Sequence, residues 1–123
     1  MASVFEAVAG NAIGYTAGLG GAVTQETSKA TGVTLNSVAG AITTVDAELA
    51  GAAEVSFVVT NSLVAATDVP VVAIKSASGS TGVYVASVSA VAAGSFTITL
   101  SNLGATASET LVINFAVIKA AAS

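Results

Sequence analysis

Hydrophobic and polar residues alternate with a period of two along most of the chain from about residue 22 onward. This is the pattern of half-buried β-strands, because successive side chains of a strand point to opposite faces of its sheet. The segment 95–100, SFTITL, places Phe, Ile and Leu on one face and Ser and Thr on the other. The segment 54–60, EVSFVVT, repeats the pattern. Both segments are therefore predicted to be strands with one face in a core.

The segment 111–118, LVINFAVI, is apolar on both faces. Such a strand is expected in the centre of a sheet or beneath a neighbouring subunit. Runs of β-branched residues predict further strands at 69–75 and 83–90, with shorter ones at 33–36 and 38–43.

Short motifs rich in Gly, Ser and Asn separate these runs and predict turns between them. No segment shows a convincing helical period, and 46–51 is compatible with either a single helical turn or a loop. Pro70 lies at the start of a predicted strand, where its missing N–H is tolerated. Regularly spaced short strands are typical of a sandwich. We therefore predict an all-β fold, a single β-sandwich or jelly-roll-like domain of six to eight antiparallel strands at 22–123, preceded by an extended N-terminal arm at 1–21.

The arm consists mostly of Gly and Ala and has no charged residue between Glu6 and Glu26. It has few large aliphatic residues and no basic flank, so neither a membrane-spanning helix nor a secretory signal is expected. Its spaced apolar side chains are suited to anchor it on another protein; they are Val4, Phe5, Val8, Ile13, Tyr15 and Leu19. Ordering a residue costs about 1–2 kcal/mol. The arm therefore either gains substantial contact on docking or remains a disordered tail, and the sequence leaves both open.

Charged residues are scarce in this chain. The 123 residues include three Lys and Arg and seven Asp and Glu, which is 8% of the chain, against 54% hydrophobic residues. A soluble domain usually devotes about a quarter of its residues to charge. We expect a surface of small side chains that neighbouring subunits largely cover. The net charge of −4 and the lack of a basic patch argue against nucleic-acid binding.

The chain also lacks Cys and His, which removes disulfides, thiolate nucleophiles and most nucleophile–base pairs. Lys75 and Ser76 do not suit a catalytic dyad, because adjacent side chains on a strand diverge. Asp46 and Glu48 would share a face of an extended segment, but no oxygen-rich loop for a cation surrounds them. We interpret them as a solvated acidic loop. The expectation is a protein without enzymatic activity, metal or cofactor.

The segments VTQETSKATGVTLN, TNSLVAATDV, AVAAGSFTITL and NFAVIKA follow one another between residues 23 and 120. In their sequence and in their order along the chain, these segments resemble a family of small virion structural proteins of tailed bacteriophages. The resemblance covers roughly residues 21–120 and does not include the first twenty. It implies a non-enzymatic β-sandwich protein of the particle, either a capsid cement or decoration protein or a module of a fibre or spike.

Among these implied roles, the low charge and the two apolar faces of 111–118 favour a capsid cement protein on the exterior of the virion. The expected partners are the major capsid protein and further copies of the chain, as a trimer by preference and a dimer as the alternative. Neither nucleic acid nor membrane is expected as a partner. The six apolar arm residues would make the capsid or subunit contacts. The alternative function is a receptor- or glycan-binding module of a tail fibre or head spike, against which stand the lack of Trp and the scarcity of Tyr.

Overall fold

The computed structural model describes residues 14–120, which form ten β-strands. The strands are β1 (Gly20–Thr24), β2 (Val33–Thr34), β3 (Ala39–Thr43), β4 (Ala47–Leu49), β5 (Glu54–Thr60), β6 (Val69–Ala77), β7 (Tyr84–Ala92), β8 (Ser95–Asn102), β9 (Ala107–Glu109) and β10 (Leu111–Ile118). Within the described range there is no helix long and apolar enough to cross a membrane.

The strands form three sheets. Sheet A has the order β1-β3-β10-β6, sheet B the order β2-β5-β8-β7, and β4 and β9 form the small sheet C. The predicted all-β sandwich is confirmed, but its ladders are not all antiparallel, because β1 is parallel to β3 and β2 is parallel to β5. The chain alternates between sheets A and B as it passes from β1 to β2 to β3. It therefore enters sheet A twice in the same direction.

Three details differ from the sequence prediction. Residues 14–120 form ten strands rather than six to eight; the three that were not predicted are β1, which consists mainly of Gly and Ala, and the three-residue strands β4 and β9. The segment 46–51 is neither a helical turn nor a loop throughout, because Ala47–Leu49 pairs with Ala107–Glu109. The first strand begins at Gly20, so Gly20 and Gly21 belong to the sheet and not to the arm.

The core lies between sheets A and B and contains the faces that the alternation predicted. Its fully or almost fully buried members include Ile42, Phe57, Val59, Phe96, Ile98, Leu100, Leu111, Ile113, Phe115 and Val117. The rings of Phe96 and Phe115 meet between the two sheets, with centroids 5.5 Å apart. Strand β10 lies between β3 and β6, which confirms its predicted central position. Pro70 is the second residue of β6, which is an edge strand of sheet A.

Candidate binding face

The outer face of sheet A has no charge except at one corner. We call this surface the apolar face; its members are Gly20, Ala22, Thr24, Ala39, Ala41, Thr43, Val69, Val71, Ala73, Val112, Asn114, Ala116 and Ile118. The single charged residue within its four strands is Lys75, exposed at a bulge of β6 beside Val112. Standard strand spacings give the face an area of about 300 Å². Exposed apolar patches of this size are often functional.

A shallow depression occupies the part of the apolar face over β6 and β10. It is lined by Val71, Val72, Ala73, Asn114, Phe115 and Ala116. The neighbouring residues of β3, Ala39 and Ala41, are also small. Because short side chains cover these strands, a partner can approach close to the backbone of the sheet.

The outer face of sheet B has comparable strand geometry but different chemistry. We call it the hydroxyl face; its members are Thr34, Glu54, Ser56, Val58, Thr60, Val85, Ser87, Ser89, Ala90, Ala92, Ser95, Thr97, Thr99 and Ser101. The hydroxyls of Ser56 and Thr99 are 2.7 Å apart, and Thr99 donates to Ser89 Oγ at 2.9 Å. Hydroxyl groups of this kind can be satisfied by one another and by water, so their hydrogen bonding does not require a protein partner.

Lys29, in the crossover from β1 to β2, is buried, with 3% of its surface exposed. Its ammonium group donates to the carbonyl oxygens of Val45, Ala47 and Glu109, each at 2.7 Å. Burial lowers the pKa of Lys29, while the charges of Asp46 and Glu109 act in the opposite direction. The lysine thus joins the β1–β2 crossover to the segments around β4 and β9.

Glu109 is buried at the end of β9, with 5% of its surface exposed. Its Oε1 accepts hydrogen bonds from Gly82 N at 2.6 Å and from the Tyr84 hydroxyl at 3.2 Å. A Cβ at Gly79 would lie 2.7 Å from Oε2, so a larger residue at this position would have to displace the Glu109 carboxylate. Burial raises the pKa of Tyr84, and the neighbouring Glu109 adds to the effect. Glu109 therefore holds the connection between β6 and β7 against sheet C.

Asp68 ends the crossover from β5 to β6 and is also buried. Its Oδ2 accepts from Ala65 N at 2.8 Å and forms an ion pair with Lys119. The Lys119 ammonium also donates to the carbonyl of Leu63 at 2.9 Å. The Ala65 hydrogen bond and the Lys119 ammonium hold the pKa of the Asp68 carboxyl below its usual value.

Two of the six arm residues predicted to contact a partner lie within the described structure. The hydroxyl of Tyr15 donates to the carbonyl oxygen of Val117 in β10, and 43% of the tyrosine remains exposed. Leu19 is 46% exposed, and its N–H donates to the carbonyl of Thr16. The other four, Val4, Phe5, Val8 and Ile13, lie outside the described residues.

The residues weighed for catalysis or metal binding are all on the surface. Lys75 and Ser76 are both exposed in β6. Asp46 is exposed just before β4, and Glu48 is exposed in the middle of β4 rather than in a loop. Among residues 14–120, no three acidic side chains lie close enough together to hold a metal ion.

Sequence reasoning missed the buried charges and the contrast between the two outer faces. A signal for Glu109 existed, because Ala107, Glu109 and Leu111 alternate with polar residues and all three are buried. No comparable signal marked Lys29, which lies in an irregular polar segment. The apolar face was visible only as the second face of 111–118, since its other strands could not be assigned as neighbours from the sequence.

Comparisons with known proteins give no relative from which a function could be transferred. No protein-family model matches the chain, and neither the curated proteins nor the solved structures include a match.

Proposed function

We propose that this protein is a non-enzymatic structural protein of a bacteriophage virion, a capsid cement or decoration protein that binds the outer shell and stabilises it. The observation that carries the proposal is the apolar face, a patch free of charge except for Lys75 at one corner. Its chemistry suits a permanent contact with another protein surface. The resemblance of four sequence segments to phage virion proteins supports the same assignment.

The proposed partners of the apolar face are the major capsid protein and neighbouring copies of the chain. Burying apolar surface stabilises by about 25 cal/mol per Å². A contact of a few hundred Å² is modest for a single molecule, but a shell repeats it at many equivalent positions. Self-association as a trimer, on the capsid exterior, is our preferred arrangement.

The test uses particles from which the protein has been removed. Wild-type protein is added back beside two variants, Ala73→Lys on the apolar face and Ser87→Lys on the hydroxyl face. Both positions are exposed and lie in edge strands, so the two lysines are matched. We expect Ala73→Lys to bind at least about tenfold more weakly, which corresponds to about 1.4 kcal/mol. Ser87→Lys should bind like the wild type.

Three results would contradict the proposal. Equal binding of both variants would show that the apolar face is not the contact surface. Unchanged heat resistance of particles without the protein would exclude a cement role. Immunolabelling at the tail together with binding to a glycan array would favour the fibre or spike module instead.

A further inference from the structure

Asn114 lies near the centre of the apolar face, although its own side chain is polar. It is the fourth residue of β10 and is paired with Ala41 of β3 and with Ala73 of β6. Its neighbours on the same face of β10 are Val112 and Ala116. Asn114 is exposed, and none of these four apolar side chains can form a hydrogen bond with it. Its carboxamide is therefore available to a partner of the face.

The sheet itself does not favour asparagine at this position. Asn is depleted in β-strands, where β-branched and aromatic residues are preferred. The other outward-facing residues of β10 are all apolar; they are Val112, Ala116 and Ile118. Asn114 also lines the shallow depression over β6 and β10, and it alone among the six lining residues has a polar side chain. A residue that is unfavourable for the strand and lies in this depression points to a role in contact.

The apolar face is too small to hold a second copy of the chain in solution. Two copies packed through faces of about 300 Å² would bury about 600 Å² in total, whereas stable protein interfaces bury about 1,200–2,000 Å². A surface of this size is sufficient as one contact among several. This is the situation of a protein that is seated on a shell, so the shell is the better occupant of the face.

The chemistry of Asn114 restricts the kind of segment that can cover it. A carboxamide carries both donors and an acceptor, and these cost free energy when they are buried without partners. A peptide group offers the complementary donor and acceptor. In helices and inside sheets the backbone groups are already paired with one another, whereas an extended segment outside a sheet has free peptide groups. The small side chains of Ala41, Ala73 and Ala116 allow such a backbone to come close.

We propose that Asn114 is the specificity-determining residue of the apolar face, and that this face binds an extended apolar segment of the capsid protein whose peptide group pairs with the Asn114 carboxamide. The inference rests on the proposed capsid function and names the chemistry of the partner. A polar pair within an apolar contact fixes one register, as a buried asparagine does in a coiled coil. Every other register of the segment leaves the carboxamide buried without a partner.

Binding to particles from which the protein has been removed tests the role of Asn114. Asn114→Val makes the face more apolar, so a contact driven by apolar area alone would become tighter. We expect this variant instead to bind at least tenfold more weakly than the wild type, because the peptide group of the partner loses its pair. Asn114→Thr has nearly the shape of the valine variant but carries a hydroxyl, so it should recover part of the binding. The control Thr43→Val removes a polar group from the same face and should bind at least as tightly as the wild type.

Urea denaturation separates binding from folding. Valine and threonine suit a strand better than asparagine does, so both Asn114 variants should be at least as stable as the wild type. Binding of Asn114→Val that equals or exceeds that of the wild type would overturn the inference, as would binding of Asn114→Thr that is no tighter than that of Asn114→Val. Either result leaves the capsid function in place, because Ala73→Lys tests that function separately. Absence of binding by the wild type would overturn both.

Discussion

The two outer faces of the sandwich differ in chemistry although both are built on four strands. One cross-strand row of sheet A consists of Ala22, Ala41, Asn114 and Ala73. A comparable row of sheet B consists of Ser56, Thr99 and Ser87. The first row offers a partner mainly methyl groups, whereas the second offers water a set of hydroxyls. A uniformly solvated sandwich would carry the second pattern on both sides, and this difference is why we propose sheet A as the contact side.

The positions of the buried charges support this division. Lys29 lies in a crossover from sheet A to sheet B, and Asp68 lies in a crossover from sheet B to sheet A. Glu109 lies between β9 and β10 and holds the β6–β7 connection. Three of the ten charged side chains thus fix the passages between sheets, where irregular backbone leaves polar groups that need partners. Apart from Lys75 on the apolar face and Glu54 on the hydroxyl face, the strand residues that form the two outer faces are uncharged.

The largest effect on the free energy of unfolding is expected at Lys29, because its hydrogen bonds hold the crossover that connects the two sheets. In Lys29→Met, the carbonyls of Val45, Ala47 and Glu109 lose their donor inside the protein. Each buried unsatisfied group costs about 1–3 kcal/mol, so we expect the free energy of unfolding to fall by about 3–5 kcal/mol. Urea denaturation measures this change.

The matched control is Lys75→Met, which removes the same charge from an exposed position. Substitutions at such positions usually change stability by no more than about 0.5 kcal/mol. Similar losses in the two variants would mean that the bonds of Lys29 do not support the crossover. The buried charge at Lys29 would then not be what fixes the connection between the two sheets.

A smaller effect, on binding to the particle, is expected when a hydroxyl group is introduced on the outer face of sheet A. Val71→Thr places it on the apolar face, and Val58→Thr places it on the hydroxyl face; the two valines are 45% and 44% exposed. Burying a hydroxyl without a partner costs at least about 1 kcal/mol. We expect Val71→Thr to weaken binding to stripped particles about fivefold and Val58→Thr to leave it unchanged. The reverse order would place the contact on sheet B.

The sequence predicted the parts of this picture that depend on local alternation. The inward faces of 54–60, 95–100 and 111–118 followed from a period of two, because each strand is long enough to show it. The two apolar faces of 111–118 predicted a position either in the centre of a sheet or beneath a neighbouring subunit, and the structure shows the central one. Local pattern does not determine which strands are neighbours. The parallel pairs and the joining of Ala39–Thr43 with Val69–Ala77 through β10 therefore emerged only in the structure.

The buried charges were unpredictable for a related reason. A lysine or glutamate in a polar segment has the same local sequence signature whether it faces water or three carbonyl groups. The carbonyl partners of Lys29 are 16, 18 and 80 residues away along the chain. Only the folded topology brings them together, so the roles of these charges depend on long-range pairing.

The pH dependence of stability tests the role of Asp68 in the crossover from β5 in sheet B to β6 in sheet A. Its native pKa lies below the ordinary value of 3.8, so the native state binds the proton less readily than the unfolded chain does. Its contribution to stability is therefore complete above that value and is lost as the pH falls through the lowered native pKa. We expect Asp68→Asn to lower the thermal midpoint at neutral pH, and the difference from the wild type to shrink in acid.

Lys119→Met separates the two causes of this shift. It removes the ammonium group but leaves the Ala65 hydrogen bond, which is the largest single contribution to the lowered pKa of Asp68. We expect a smaller loss of midpoint than in Asp68→Asn, and part of the acid dependence should remain. If the thermal midpoints of the wild type and Asp68→Asn differed by the same amount over the whole pH range, this role of Asp68 in the β5–β6 crossover would be contradicted.

The smallest effect is expected on the hydroxyl face itself. Thr99→Val removes the group that bonds both Ser56 and Ser89, at 2.7 and 2.9 Å. Because these hydroxyls are accessible to water, the two serines regain partners from solvent, and valine, which is β-branched like threonine, suits the strand equally well. The free energy of unfolding should therefore change by no more than about 0.5 kcal/mol in urea denaturation. A loss above about 1 kcal/mol would show that the hydroxyl row is a structural network rather than a solvated surface, and the contrast between the two faces would need a different physical explanation.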